Sequence, residues 1–170
     1  MDWFWLSQLL VAIAIAIVCD LVSFQLPQRR SVLICLVLST ALTSGHYVLL
    51  TQYSGAILML LASLRFALSI HYQQRRLMVI FIALSILTTL FVWQSPISLW
   101  ALAGSCIQTC AAFQRRQLTM RLLMLLGSGC WLAYGVAAGS PMAALLEGLF
   151  VSSNVIALYR YRRQLFSFST

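Results

Sequence analysis

Residues 54–76 read SGAILMLLASLRFALSIHYQQRR. Nineteen residues, Ser54 to Tyr72, contain one charge, Arg65, and the run closes on the pair Arg75-Arg76. About 20 mostly apolar residues are needed to cross the hydrocarbon core of a bilayer. The stretch therefore predicts a membrane-spanning helix with a basic end. Its continuous apolar character excludes a barrel strand, in which polar and apolar residues alternate over about 10 positions.

The rest of the chain repeats this pattern. Turn signals and arginines divide its 170 residues into seven expected spans: Trp3–Ser23, Ser31–Leu50, Ser54–Tyr72, Leu77–Trp93, Pro96–Phe113, Leu118–Ala138 and Ser140–Tyr159. The links are short and leave no room for a soluble domain. Hydrophobic residues make up 62% of the chain and charged residues 8%. That is far below the roughly 25% charged content of a soluble domain. A soluble enzyme, a secreted disulfide scaffold and a disordered chain are excluded. The five cysteines (Cys19, Cys35, Cys106, Cys110 and Cys130) all fall within spans, as small buried residues do. They form no metal-ligand spacing, and no cofactor is expected.

Orientation follows from the eleven arginines. Arg29-Arg30, Arg75-Arg76, Arg115-Arg116 with Arg121, and Arg160, Arg162 and Arg163 fall at alternate links or the C-terminal end. The other links contain none. Basic residues accumulate on the cytoplasmic side. The expected topology places the N-terminus outside and the C-terminus in the cytoplasm. The basic residues come after the first span, so it is expected to be a retained helix rather than a cleaved signal peptide. Arginines placed as topology signals exclude nucleic acid as a partner. The expected partners are the lipid bilayer and an unknown small polar solute, with a homo-oligomer left open.

An internal repeat is also visible. Gln28-Arg29-Arg30 recurs as Gln114-Arg115-Arg116, 86 residues on. At an offset of 85, His46 matches Trp131, Tyr53-Ser54-Gly55 matches Ala138-Gly139-Ser140, and Ser63-x-x-x-Ala67 matches Gly148-x-x-x-Ser152. Small residues four apart let helices approach closely in lipid. Each unit would hold three spans, so one extra span is needed to give both the same orientation. The expected fold is an all-α integral membrane protein with 3+1+3 parallel repeats. A first unit covers 1–76, a linker helix 77–95 and a second unit 96–170.

The stretch Trp131-Leu132-Ala133-Tyr134-Gly135, then Ser140-Pro141, then a helix ending in Tyr159-Arg160-Tyr161-Arg162-Arg163 resembles the last two helices of a SWEET or SemiSWEET unit. Pro27-Gln28 resembles the pair that names the PQ-loop superfamily. Over nearly its full length the chain resembles the YgjV-like family of bacterial inner membrane proteins. That likeness is carried by Gln114 to Arg121, Cys130-Trp131, and Ala138-Gly139-Ser140 leading to Glu147-Gly148. The resemblance implies the fold, an inner-membrane location and a cavity between the units. It does not imply sugar. The sugar-binding asparagines of the relatives correspond here to Ala62 and Glu147, and Phe113-Gln114 replaces the second proline-glutamine pair.

Three ionisable residues fall inside spans: Asp20, Arg65 and Glu147. Each costs roughly 2.5–3.5 kcal/mol near a helix centre on insertion scales and so should face the bundle interior. At 1.5 Å per residue, Arg65 lies about 10 Å from the inner end of its span, Asp20 about 5 Å and Glu147 about 18 Å. A long arginine reaches either acid. One reading has the three lining a central cavity, with Arg65 holding an anionic group and Glu147 a cationic or hydroxyl group. The other is a satisfied ion pair that fixes helix packing. His46 is a candidate proton carrier or a packing residue. Trp131 and Tyr134, one turn apart, are a candidate pocket wall or bundle core. Pro141 suits the first turn of a helix. Catalysis finds no support, with no phosphate loop and no Ser-His-Asp set at one depth, and no enzyme activity is expected. The expected function is a small-solute transporter or facilitator. The alternative is a non-transporting receptor, chaperone or assembly factor of the same fold.

Overall fold

The computed structural model describes residues 14–19, 21–22, 26 and 28–167, and every regular element among them is a helix. Helix α1 is described at residues 14–19 and 21–22. It is followed by α2 (Arg29–Leu49), α3 (Tyr53–His71), α4 (Arg75–Phe91), α5 (Ser98–Ala112), α6 (Gln117–Ala137) and α7 (Pro141–Ser167). Most of the expected first span, Trp3–Ser23, lies outside the described residues.

Polarity is inverted relative to a soluble core. Leu60, Leu64, Val79, Leu90, Leu126 and Val136 are more than half exposed, whereas Arg65, Gln108, Glu147 and Asn154 are buried. An apolar shell around polar contacts needs lipid as its solvent. Arg29–Leu49, Tyr53–His71 and Leu118–Ala137 are long and apolar enough to cross a membrane, and Ala143–Tyr159 is a shorter apolar helix. Helices α4 and α5 have 17 and 15 residues. At 1.5 Å per residue these reach about 25 Å and 23 Å, short of a core of about 30 Å. The connection between them, residues 92–97, takes Val92, Trp93, Pro96 and Ile97, which the expected spans had included.

Helix α2 packs mainly on α3, and α6 on both α5 and α7. Contact between α3 and α5 joins the two halves, and α4 lies against both. Helix α4 buries only Phe81, Ser85 and Thr89, one residue per turn. That narrow stripe is what a peripheral helix needs.

The hairpins α2–α3 and α6–α7 correspond residue by residue. Helices α2 and α6 each have 21 residues and start at Arg29 and Gln117, 88 residues apart. Helices α3 and α7 start at Tyr53 and Pro141, again 88 apart. Their turns share one hydrogen-bond pattern. Leu50, Thr51 and Gln52 donate to the carbonyls of His46, Val48 and Tyr47, while Ala138, Gly139 and Ser140 donate to those of Tyr134, Val136 and Gly135. The middle residue has positive φ in both, 58° at Thr51 and 68° at Gly139. The structural offset is thus 88 rather than the 85 or 86 suggested by sequence matches. Gln-Arg-Arg misleads because Arg29 opens α2, whereas Arg115 and Arg116 precede α6.

Arg29 ties one end of the bundle together. Its guanidinium donates to the carbonyls of Ser69 (3.1 Å) and Ala112 (2.6 Å), in the last turns of α3 and α5. A cation there meets the negative ends of two helix dipoles. Arg75-Arg76 and Arg115-Arg116 follow those same helix ends in sequence, so all these arginines gather at one end. At the opposite end Gln94 accepts from Ser54 N–H (3.2 Å) and donates to the Thr51 carbonyl (3.0 Å), pinning the α4–α5 loop to the α2–α3 turn.

Candidate functional site

The candidate site is a polar layer between two apolar clusters. One cluster, toward the arginine end, includes Leu33, Ala62, Phe66, Met120, Met124 and Phe150. The other, toward the Gln94 end, includes Tyr47, Leu58, Met59, Trp131, Tyr134 and Ala143. Between them lies a cavity of about 20 Å³. Such a space holds about one or two waters. Its lining comes from α2, α3, α5, α6 and α7, and its polar members are Ser39, Thr40, Thr43, Gln108, Ser128 and Glu147.

Three pairs of lining residues are related by the 88-residue offset: Leu36 with Met124, Thr40 with Ser128, and Met59 with Glu147. The cavity therefore lies where equivalent faces of the two hairpins meet. The third pair breaks the equivalence, placing a thioether opposite a carboxylate. The expected match of Glu147 with Ala62 moves by three residues, and Arg65 corresponds to Ser153.

That shift changes the place of Arg65. Its side chain is 1% exposed, and Nη1 donates to Thr109 Oγ1 (2.7 Å) and the Ser105 carbonyl (3.0 Å) on α5. The guanidinium carbon lies 4.5 Å from the Phe66 ring centre. Nε and Nη2 are buried without a hydrogen-bond partner. Ser105 Oγ lies 3.2 Å from Ser85 Oγ, which extends this polar contact to α4. Phe66 lines the cavity and Arg65 does not. Adjacent residues on a helix point about 100° apart. Arg65 and Glu147 thus serve different contacts rather than facing one another across the centre. Asp20 lies outside the described residues.

The aromatic residues form a closed layer beside the cavity. Trp131 and Tyr134 are fully buried, meet edge to face at 5.7 Å, and both contact Tyr47, with ring centres at 6.4 and 5.5 Å. Glycines admit them. A Cβ on Gly55 would lie 2.6 Å from the Tyr134 hydroxyl oxygen, and one on Gly104 would lie 2.7 Å from Trp131 Cδ1. Tyr134 reaches Gln52 Oε1 at 3.4 Å. His46 Nε2 lies 3.0 Å from Ser140 Oγ, joining the two turns. Ser140 also accepts from Ala143 N–H (3.2 Å), capping α7 before Pro141. His46 and Tyr134, not His46 and Trp131, are the equivalent pair at the offset of 88.

Sequence reasoning missed Thr40, Thr43, Gln108, Ser128, Tyr47 and Met59. The signal for the first four was present: polar side chains within apolar spans, with Thr40 and Thr43 one turn apart. They carry no charge, and serine and threonine are common in membrane helices.

The chain matches the family model described as Imp-YgjV, bacterial inner membrane protein, over residues 5–165. It is 28% identical over 163 residues to the inner membrane protein YgjV of Escherichia coli (strain K12), covering 96% of this chain and 88% of that protein. No solved structure matches. A full-length family match, an inverted polarity and helices of membrane-crossing length agree. The chain belongs to the Imp-YgjV family and is a bacterial inner membrane protein.

Proposed function

We propose that the protein is a small-solute transporter or facilitator working by alternating access. In this reading it has seven spans and a SWEET-like 3+1+3 fold, with the N-terminus outside and the C-terminus in the cytoplasm. The observation that carries it is the small cavity between equivalent faces of the two hairpins, lined by six polar and six apolar side chains. Substrate sites of repeat-built transporters lie near mid-membrane at the interface between repeats. Opening would separate Tyr47, Trp131 and Tyr134 at one end, or release Arg29 from the ends of α3 and α5 at the other.

The test is uptake by proteoliposomes, screened across sugars, amino acids, carboxylates and monovalent cations. Uptake of one class above protein-free vesicles is expected. A non-transporting receptor, chaperone or assembly factor is the second reading, favoured by how little space the centre holds. Absence of uptake for every class by protein shown to be folded would decide for it.

A further inference from the structure

We propose that the arginine end of the bundle, between the start of α4 and the α5–α6 loop, binds the phosphodiester headgroup of an anionic phospholipid, with the acyl chains lying along α4. The site stands whether or not the protein transports a solute.

Packing brings two arginine pairs to one place. Arg75 and Arg76 open α4, and Arg115 and Arg116 follow α5. Phe81, in the second turn of α4, lies 6.5 Å from Phe113 between ring centres. Leu77 and Met78 pack on the apolar cluster that contains Phe113. The first turn of α4 therefore sits beside the loop that carries Arg115 and Arg116. All four arginines are exposed. The acid among the described residues, Glu147, is at the seventh position of α7, a helix that starts from the opposite end. Among the described residues, no carboxylate opposes the four charges at this end.

The helix ends add to the same sign. Helices α2, α4 and α6 all begin here, and none has an acidic residue in its first turn or a side-chain cap on its N-terminus. The free N–H groups of a helix start favour an anion. The negative ends of α3 and α5 are already met by Arg29, which donates to the carbonyls of Ser69 and Ala112. A phosphate suits what remains, because a guanidinium grips it with two parallel N–H donors.

The adjoining surface selects a lipid over a soluble anion. One turn beyond Arg75 and Arg76, α4 leaves Val79 and Ile80 60% and 51% exposed, and Leu87 continues the apolar face. An amphiphile covers the charged end and the apolar face together. A nucleic acid or an acidic protein would cover only the charged end. Basic clusters beside membrane helices attract anionic lipids.

The experiment uses the full-length protein in mild detergent, with thermal unfolding followed by tryptophan fluorescence. Phosphatidylglycerol, phosphatidylcholine with the same chains, and glycerophosphoglycerol (the anionic headgroup without chains) are titrated separately. A ligand that binds the folded state raises the midpoint with its concentration. Phosphatidylglycerol is expected to raise the midpoint by several degrees over phosphatidylcholine, and the chainless headgroup to have little effect at the same concentration. Arg75→Gln, Arg76→Gln, Arg115→Gln and Arg116→Gln together should remove the difference between the two lipids. Lysine at the same four positions keeps the charge but loses the planar fork, and should leave about half of it. Arg30→Gln, exposed on α2 at the same end, should leave it intact. Equal midpoints in the two lipids overturn the site, as does a difference that survives the four glutamines. Loss in Arg30→Gln as complete as in the fourfold variant overturns its location. An equal effect of glycerophosphoglycerol overturns the lipid assignment. If the glutamine variant is not recovered folded, a full-sized difference in the lysine variant overturns the proposal.

Discussion

Met59 and Glu147 occupy the seventh positions of α3 and α7, 88 residues apart, and both line the central cavity. Two equivalent places on the hairpins thus carry one thioether and one carboxylate. The cavity is symmetric in backbone and asymmetric in charge.

Exchanging the pair tests the equivalence. If both positions face one space, Glu147→Met and Met59→Glu are expected to be non-additive by about 0.5–3 kcal/mol. Thermal unfolding of the wild type, the two single variants and the double variant measures this. Additive costs in a folded double variant would show that the two positions do not face the same space.

Arg65 and Thr109 should be coupled. Thr109→Val leaves a buried guanidinium with fewer acceptors and is expected to cost about 1–3 kcal/mol. Arg65→Met removes Nε and Nη2, which have no hydrogen-bond partners, and should leave stability unchanged or higher by up to about 3 kcal/mol. In the Arg65→Met background Thr109→Val should cost no more than about 1 kcal/mol. A denaturation series on the four proteins measures this, and equal costs in both backgrounds would break the assignment.

The aromatic layer depends on two glycines. Gly55→Ala and Gly104→Ala would drive a methyl group to 2.6 Å from Tyr134 and 2.7 Å from Trp131. Overpacking of this kind costs about 1–3 kcal/mol. Gly45 in α2 has nothing within 4 Å of an added Cβ. Gly45→Ala should therefore be neutral or stabilising by up to about 1 kcal/mol. Protease resistance of the membrane-embedded variants ranks the three.

The two turns differ in strain. Thr51 holds φ at 58° with a β-branched side chain, whereas its counterpart at 68° is Gly139. Thr51→Gly should stabilise and Gly139→Thr destabilise, each by about 1–2 kcal/mol. Opposite signs in thermal unfolding are the expected result.

Neighbouring arginines should behave differently. Arg29 donates to two helix ends, while Arg30 is exposed. Arg29→Gln is expected to lower stability by about 1–3 kcal/mol, as for loss of charge-assisted bonds. Arg30→Gln should change it by about 0.5 kcal/mol or less. Similar losses would mean that Arg29 acts only through net charge.

The sequence by itself determined the class of the molecule. Sparse charge and continuous apolar runs dictate helices in lipid, because no other solvent tolerates that surface. Clustered arginines already placed several helix ends together, and Pro141 already marked the start of α7. Tertiary structure alone decided the register, the direction of Arg65 and the cavity. In lipid, apolar residues are interchangeable on the outer face, so the two halves retain little identity from which to align them. Backbone hydrogen bonds at the turns fix the offset of 88 instead. A helix that is apolar on most sides also shows little preference for one face. Which way Arg65 points is therefore settled by Ser105 and Thr109 on another helix, 40 and 44 residues away. The same holds for Thr40, Ser128 and Glu147, which become neighbours of one space only when the two hairpins pack.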